Sequence, residues 1–466
     1  MSGTMARRLA MVAIFGPLTI VIVGSRWLSQ ISVGPVFLYD VILVVAFLLG
    51  AFALYIGRES LSRRTLQLSL VLLFLPALGI VHFAFSGVSE GSLREFAPYL
   101  YMSFGWLVML LFVQLSVRDR RAGVIIIGVA LALHWLWVSA IKHVPGIVPI
   151  EARGVTLFDI RADIDSTLVG AFAGYLLLVG IRPRLSWPKK LLLLTAAVFI
   201  GLQAADLGTR AGHLAAVAIL SGVAMFAVLS PVFRGRRAFA VSTSLGITAV
   251  VLALPLFITG LDRQYLGAIN ALISTVAPDA PLIGVSTEAS DEVEELVATS
   301  GVVISGTARA RLNMWSNLIE WIFADSRRVF VGVGFGSDYL RESGSLGKFL
   351  GPLDRVTQEH VGPHNILLFV FATTGLVGLV LLVVLVSVAL GGAVRGFRTA
   401  SAELYGLSFA LALGVLTVAS FGQVFEAPYG AIPLAWCMGV LVSGYAARSG
   451  GGEDQQNDLA ASSAAR

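Results

Sequence analysis

The chain has 466 residues, of which 57% are hydrophobic and 13% charged, with a mean hydropathy of +0.85. Soluble domains carry about 25% charged residues, so a water-soluble globular protein is excluded. A net charge of +5 scattered through short loops makes no basic patch for nucleic acid. One cysteine, Cys437 in an apolar run, leaves no intrachain disulfide and no thiolate metal cluster.

Hydropathy predicts about twelve membrane spans, many of bilayer length: 9–24, 35–56, 67–86, 98–116, 122–142, 165–181, 190–206, 211–229, 238–259, 364–390, 403–423 and 428–447. The expected class is an all-α polytopic membrane protein. Nine spans fill 1–259, a long polar-flanked segment covers 260–363, three spans follow over 364–447, and 448–466 is a polar tail expected to be disordered. The first run follows Arg7 and Arg8 like a signal peptide. It ends in Gly24-Ser25-Arg26 without a small-x-small cleavage pattern, and is therefore read as retained.

Basic residues set the expected orientation. One set of loops holds clusters: Arg58, Arg63 and Arg64; Arg118, Arg120 and Arg121; Arg182, Arg184, Lys189 and Lys190; Arg234, Arg236 and Arg237; Arg395 and Arg398. The alternate loops hold only Arg26, Arg94, Lys142, Arg153, Arg161 and Arg210. The positive-inside rule then places both termini in the cytoplasm and 260–363 outside.

Arg210 lies in AADLGTRAGHLAA (204–216), at the tight outer turn between spans seven and eight. An arginine at mid-bilayer costs roughly 2.5–3.5 kcal/mol on insertion scales. Two readings stand: it snorkels to lipid phosphate, or it serves a site. His213, one turn further on, can share its face.

The outer segment of about a hundred residues is too long for an idle connection. STEASDEVEELVATSG (286–301) reads as a solvated acidic helix, and TARARLNMWSNLIEWIFADS (307–326) as an amphipathic one. Arg311, Trp315, Leu318 and Ile322 share one stripe, whereas Arg309 points nearly the opposite way. A charge on a buried stripe needs a partner, so Arg311 is a snorkelling or ion-paired residue, or an anion clamp. VFVGVGFGSDY (329–339) contains G-x-G-x-G but lacks the strand–loop–helix context of a nucleotide loop. Its glycines are expected to permit a tight turn.

His364 and Asn365 open span ten. The positive end of that helix favours a neutral imidazole, and Asn365 is placed to cap the helix or hold a substrate hydroxyl. The plainer reading of His364 is a capping or interfacial histidine. Zinc with Glu359 and His360 is disfavoured, because Gly362 and Pro363 interrupt a common helix face and no third histidine is near. Glu426, in FEAPYGAIPLAW (425–436), either pairs with an arginine or is solvated.

Four stretches together resemble the O-antigen ligase and polymerase superfamily. HNILLFVFATTGLVG (364–378) is similar to its His-Asn…Gly-x-x-Gly signature. RLNMWSNLIEWIFADSRRVFVGVGFGS (311–337) is similar to the Arg-x-x-x-Trp…Gly-x-Gly segment before that histidine. LGTRAG (207–212) resembles the Ser-Arg-Gly/Ala element, with Thr209 for the usual serine, and FEAPYGAIPLAW resembles the last outer turn. The likeness covers roughly the second half of the chain in order and spacing.

The resemblance implies a GT-C-like membrane glycosyltransferase of the bacterial inner membrane. It would move a glycan from an undecaprenyl diphosphate carrier to an acceptor hydroxyl on a glycan, lipid or protein, without metal or other cofactor. It implies His364 as the base and Arg210 and Arg311 as diphosphate ligands, with Asn365, Trp315, Glu426 and His213 in support. A glycan polymerase of the same superfamily is the nearest alternative. A twelve-span transporter and a non-catalytic envelope scaffold are remoter. RGVTLFDIRADIDSTLVG (153–170) departs from the pattern: relatives tend to carry Phe-x-Asp/Asn-Pro-Asn where this chain has Asp163-Ile-Asp165. A D-x-D pair can hold a metal–diphosphate; the favoured reading is that Asp165 and Ser166 cap the following helix.

Overall fold

A computed structural model describes residues 2–33, 36–57, 61–86, 89–152, 155–258, 306–345 and 362–446. The expectations for 286–301, for Glu359 and His360, for the tail and for the side chain of Arg309 lie outside the described residues.

The fold is helical. Nine helices come first: α1 (Ser2–Ser29), α2 (Leu38–Gly57), α3 (Arg63–Ser86), α4 (Glu90–Phe112), α5 (Val117–His143), α6 (Ala162–Gly180), α7 (Trp187–Asp206), α8 (Arg210–Leu229) and α9 (Arg237–Ile258). Three shorter ones follow: α10 (Gly306–Phe323), α11 (Ser326–Val331) and α12 (Tyr339–Glu342). The last are α13 (Ile366–Gly396), α14 (Ala402–Ala419) and α15 (Pro428–Ser443). Two small antiparallel hairpins, Ser32–Val33 with Val36–Phe37 and Ile150–Ala152 with Val155–Leu157, join α1 to α2 and α5 to α6.

Among the described residues, 11 helices are long and apolar enough to cross a membrane. The twelfth expected span, α15, has only 16 residues, a rise of about 24 Å against roughly 30 Å of hydrocarbon. Every residue of α15 is buried, so neighbouring helices cover it and it has no bilayer to match. Small residues allow this. A Cβ on Gly439 would stand 2.3 Å from the Gly105 carbonyl oxygen, and one on Gly105 would stand 2.5 Å from that of Ala435. The backbones of α4 and α15 therefore meet at a crossing that only glycine permits.

Local signals set the helix starts. Ser89 with Ser92 and Ser116 with Asp119 form reciprocal capping boxes at α4 and α5. Two breaks were not legible from hydropathy. In α1, Ser25 adopts φ 43°, and in α13, Gly375 adopts φ 67°.

The Ser25 break exposes polar atoms inside the bundle, and a buried network meets them. Tyr39 donates to the Ser25 carbonyl at 2.7 Å, and Ser25 Oγ donates to Asp165 at 2.5 Å. The other Asp165 oxygen accepts from the Arg161 backbone N–H at 2.7 Å. His134 Nε2 stands 3.6 Å from the same carboxylate, with both side chains fully buried. The helix begins three residues before Asp165, with Arg161 at its N-cap and no side-chain cap, so Asp165 and Ser166 lie within its first turns and do not cap it; Asp165 instead ties that turn to α1. The segment carrying Arg161 is fixed from below.

Candidate functional site

The polar residues converge at one end of the bundle. They sit on the starts of α6, α8, α13 and α15, the ends of α1 and α14, and on α10.

Asn365 caps α13: its side-chain oxygen accepts from Leu367 N–H and Leu368 N–H at 2.9 and 3.2 Å. Its amide also donates to the Ser420 carbonyl at 3.1 Å. Arg311 Nη1 donates to the next carbonyl, Phe421, at 2.7 Å. Both α10 and the mouth of α13 are therefore anchored to the turn that leaves α14. Trp315, one turn after Arg311, donates its indole N–H to the Pro363 carbonyl at 2.7 Å. The stripe beyond it is buried: Leu318 and Ile322 are fully covered, and Met314, one turn before Leu318, packs in the same small core with Phe371.

His364 lies between these anchors, in a half-buried segment, with φ 54°. A non-glycine residue in the left-handed region is uncommon. Here Pro363 and Asn365 are both held on either side of it, and that fixes the turn that presents the imidazole. Burial lowers its pKa to about 4, with the charges of Arg311 and then Arg161 adding to the effect. The imidazole is neutral at physiological pH.

Arg210 is the first residue of α8. Thr209 caps this helix by accepting from Gly212 N–H at 3.2 Å. Gly208 supplies the φ of 85° that the turn before it demands. Burial lowers the pKa of Arg311 and the charge of Arg210 lowers it further, with Asp163 opposing. The Nε–H of Arg311 is buried with no hydrogen-bond partner among the described residues. The two guanidinium groups are near enough for the charge of one to depress the pKa of the other.

Glu426 is placed beside the same segment. Its carboxylate occupies the space a side chain at Gly362 would need: an added Cβ there would stand 1.7 Å from Glu426 Oε2. Burial raises its pKa to about 8, Glu95 adds to this, and Arg161 opposes it. His213 is different. It is fully buried, and its Nε2 lies 2.8 Å from the Val251 carbonyl in α9. That carbonyl would normally receive the N–H four residues on, but residue 255 is proline. The imidazole supplies the missing donor. Its contact with Val251 places it in the helix packing of α8 and α9.

The two aspartates diverge. Asp163 pairs with Arg161 Nε at 2.9 Å, whereas Asp165 turns inward to Ser25 and His134. They do not aim at a common point.

Two residues that sequence reasoning left as loop charges belong to this region. Arg161 acts on His364 and Glu426, pairs with Asp163 and donates to Tyr429 Oη. Arg94 helps line a cavity of about 220 Å³ that also takes in Arg26, Arg161, Glu95, Glu426 and Gly362. The signal that would have found them is scarcity: the arginines of the otherwise poorly charged loops gather here.

The glycine loop of 332–336 docks on the α13 break. Val333 N–H donates to Ala372 at 2.8 Å and Gly334 N–H to Thr373 at 3.1 Å. Gly332, Gly334 and Gly336 all have positive φ, and Gly336 N–H donates to Glu95 at 2.7 Å. The tight turn expected of these glycines is a close backbone approach to an interrupted helix.

This fold defines an all-α polytopic membrane protein with a polar site at one end of its helices. Neither a protein-family model nor a curated protein sequence matches the chain.

Proposed function

We propose that the chain is a membrane glycosyltransferase of the O-antigen ligase type. It transfers a glycan from an undecaprenyl diphosphate carrier to an acceptor hydroxyl at the extracytoplasmic face. The observation that carries this reading is the neutral, conformationally constrained His364 beside the Arg210–Arg311 pair.

The chemistry matches those groups. In the reaction the acceptor oxygen forms a bond to the anomeric carbon while the bond from that carbon to the diphosphate oxygen breaks. The diphosphate leaves with the electron pair, and its growing charge is met by the guanidinium forks of Arg210 and Arg311. The acceptor hydroxyl proton goes to His364, a general base of a type that contributes typically 10²–10⁴-fold. A bound diphosphate offsets the field of Arg311, so donor binding raises the proton affinity of the imidazole when a base is needed. One base and one displacement invert the anomeric centre. The carrier tail stays in lipid, which is why the site belongs at the membrane boundary.

The test is transfer in proteoliposomes from a carrier-linked glycan to candidate acceptors. His364→Ala is expected to abolish transfer while the protein keeps its thermal melt. Transfer at the wild-type rate by that variant would remove the catalytic assignment. Solute uptake without covalent transfer would replace the enzyme with a transporter.

A further inference from the structure

The cavity beside Gly362 holds an unmet donor. Tyr339, the first residue of α12, lines it and is 2% exposed. Its hydroxyl is buried with no hydrogen-bond partner among the described residues. The other two tyrosines of the wall are engaged: Tyr101 donates to Asp40 at 2.7 Å, and Tyr429 accepts from Arg161. Burial raises the pKa of the Tyr339 phenol, and the charges of Glu95 and then Glu426 raise it further. The phenol therefore keeps its proton, and both carboxyls that act on it stand on the same wall. A buried O–H without an acceptor is costly and uncommon. The cavity is where an acceptor for this one would lie.

The charged groups of the wall are balanced. Asp159 pairs with Arg26 at 3.1 Å, and Asp163 with Arg161 at 2.9 Å. Arg94, the third arginine, shares the wall with Glu95 and Glu426. Burial raises the pKa of Glu426 to about 8, so near neutral pH its carboxyl is largely protonated and both donates and accepts. An anion entering here would meet two carboxyls, while two of the three arginines already hold an acid. An uncharged ligand rich in hydroxyls suits such a wall, where donors and acceptors alternate. Phe37, Phe369 and the Tyr429 ring add apolar surface, the mixture of ring faces and a few polar groups found in small-molecule sites. The volume of about 220 Å³ falls below the roughly 300–1,000 Å³ of drug-sized pockets. It admits one sugar ring and not a longer glycan.

The geometry points to a subsite for one uncharged sugar ring, in which the Tyr339 hydroxyl donates to a sugar oxygen and Glu95 and Glu426 bond to sugar hydroxyls. The word sugar rests on the glycosyltransferase reading; the unmet hydroxyl and the balanced wall stand without it. Gly362 is on the wall two residues before His364, and Arg161, also on the wall, is near enough for its charge to act on that imidazole. A ring held here lies beside the base. Tyr339 is then a specificity residue: its hydroxyl finds a partner only when a ring with an oxygen at the right place fills the cavity.

The test uses the full chain in phosphatidylcholine nanodiscs, with binding read by saturation-transfer NMR. The uncharged probes are methyl glucoside, methyl galactoside and methyl N-acetylglucosaminide. Methyl glucuronide and methyl galacturonide are the anionic counterparts. At least one uncharged glycoside is expected to bind about tenfold or more tightly than either uronide, since a buried carboxylate without a free cation is penalised. Tyr339→Phe should weaken that glycoside about threefold to tenfold, the weight of one neutral hydrogen bond. The same variant should melt no lower than wild type without sugar, because the hydroxyl it removes has no partner among the described residues. A purely structural hydroxyl would show the opposite: a lower melt and unchanged sugar affinity. Phe37→Leu, which takes a ring from the wall, is the second variant and should weaken the same glycoside. Undecaprenyl diphosphate carrying the bound sugar assigns its source. Displacement of the probe by that lipid makes the ring part of the donor, and survival of the probe makes it part of the acceptor. Failure of every uncharged glycoside to bind, equal binding of a uronide, wild-type affinity in Tyr339→Phe, or displacement by bare undecaprenyl diphosphate overturns the proposal. The readout needs no transfer. Sugar binding by a chain that transfers nothing would sink the transferase reading alone, and transfer by a chain that binds no uncharged sugar would sink only the subsite.

Discussion

At the scale of single residues, the environment of His364 makes a kinetic prediction with a definite sign. Its pKa is lowered to about 4 by burial and by Arg311 and Arg161. On the proposed reading, a bound diphosphate counters those charges. The acid limb of kcat/KM reports the free enzyme and that of kcat the complex. The kcat limb is therefore expected at higher pH than the kcat/KM limb in a pH–rate series; the reverse order would contradict the assignment. Glu426 gives a stability prediction. Its pKa rises from 4.5 to about 8 on folding, so between those values the folded state holds a proton that the unfolded state has released. Stability from this group is then lost as pH climbs through that window. Melting curves should show Glu426→Gln gaining on wild type from pH 4.5 to 8 and matching it at pH 4. The residues that sequence marked, His364, Arg311, Trp315, Asn365 and Glu426, stand at one end of the bundle because each sits at a helix mouth or on an amphipathic stripe. Arg161 escaped notice because Tyr429, Glu426 and His364, on which it bears, come from distant parts of the chain.

At the scale of elements, the span positions were legible because each is a long apolar run. The breaks and the shortness of α15 were not. Hydropathy is blind to Gly375, which lies within a long, predominantly apolar run, and to a helix whose short length is covered by neighbours. The hairpins, of two or three residues a strand, leave no periodic signal at all. Gly375 has a clear structural duty. It adopts φ 67°, and a Cβ there would stand 2.5 Å from the backbone of Phe330. Gly375→Ala is expected to push the glycine loop off α13, lowering the melting temperature and reducing transfer at least tenfold. An unchanged melt and rate would mean that the docking of that loop is incidental. Replacing the cap with Asn365→Ala removes three hydrogen bonds, of which the capping part alone is worth about 1 kcal/mol.

At the scale of the whole molecule, the charge asymmetry of the loops sets an orientation to be measured. Loops such as the one carrying Arg182, Arg184, Lys189 and Lys190 belong to the end opposite the site, where Arg182 pairs with Glu403 at 2.6 Å. Single cysteines at Arg184 and Asp338, in a Cys437→Ala background, should react with an impermeant maleimide in intact cells only at 338. Labelling at 184 instead would invert the proposed topology. The central claim is that two arginines hold the donor diphosphate while one histidine takes the acceptor proton. Its most direct test is binding of undecaprenyl diphosphate to the full chain in nanodiscs, read beside transfer by the same variants. The account predicts that Arg210→Gln and Arg311→Gln each weaken binding at least tenfold, whereas His364→Ala binds the carrier as wild type does and transfers nothing. Wild-type binding by both arginine variants, or transfer by the histidine variant, would contradict it.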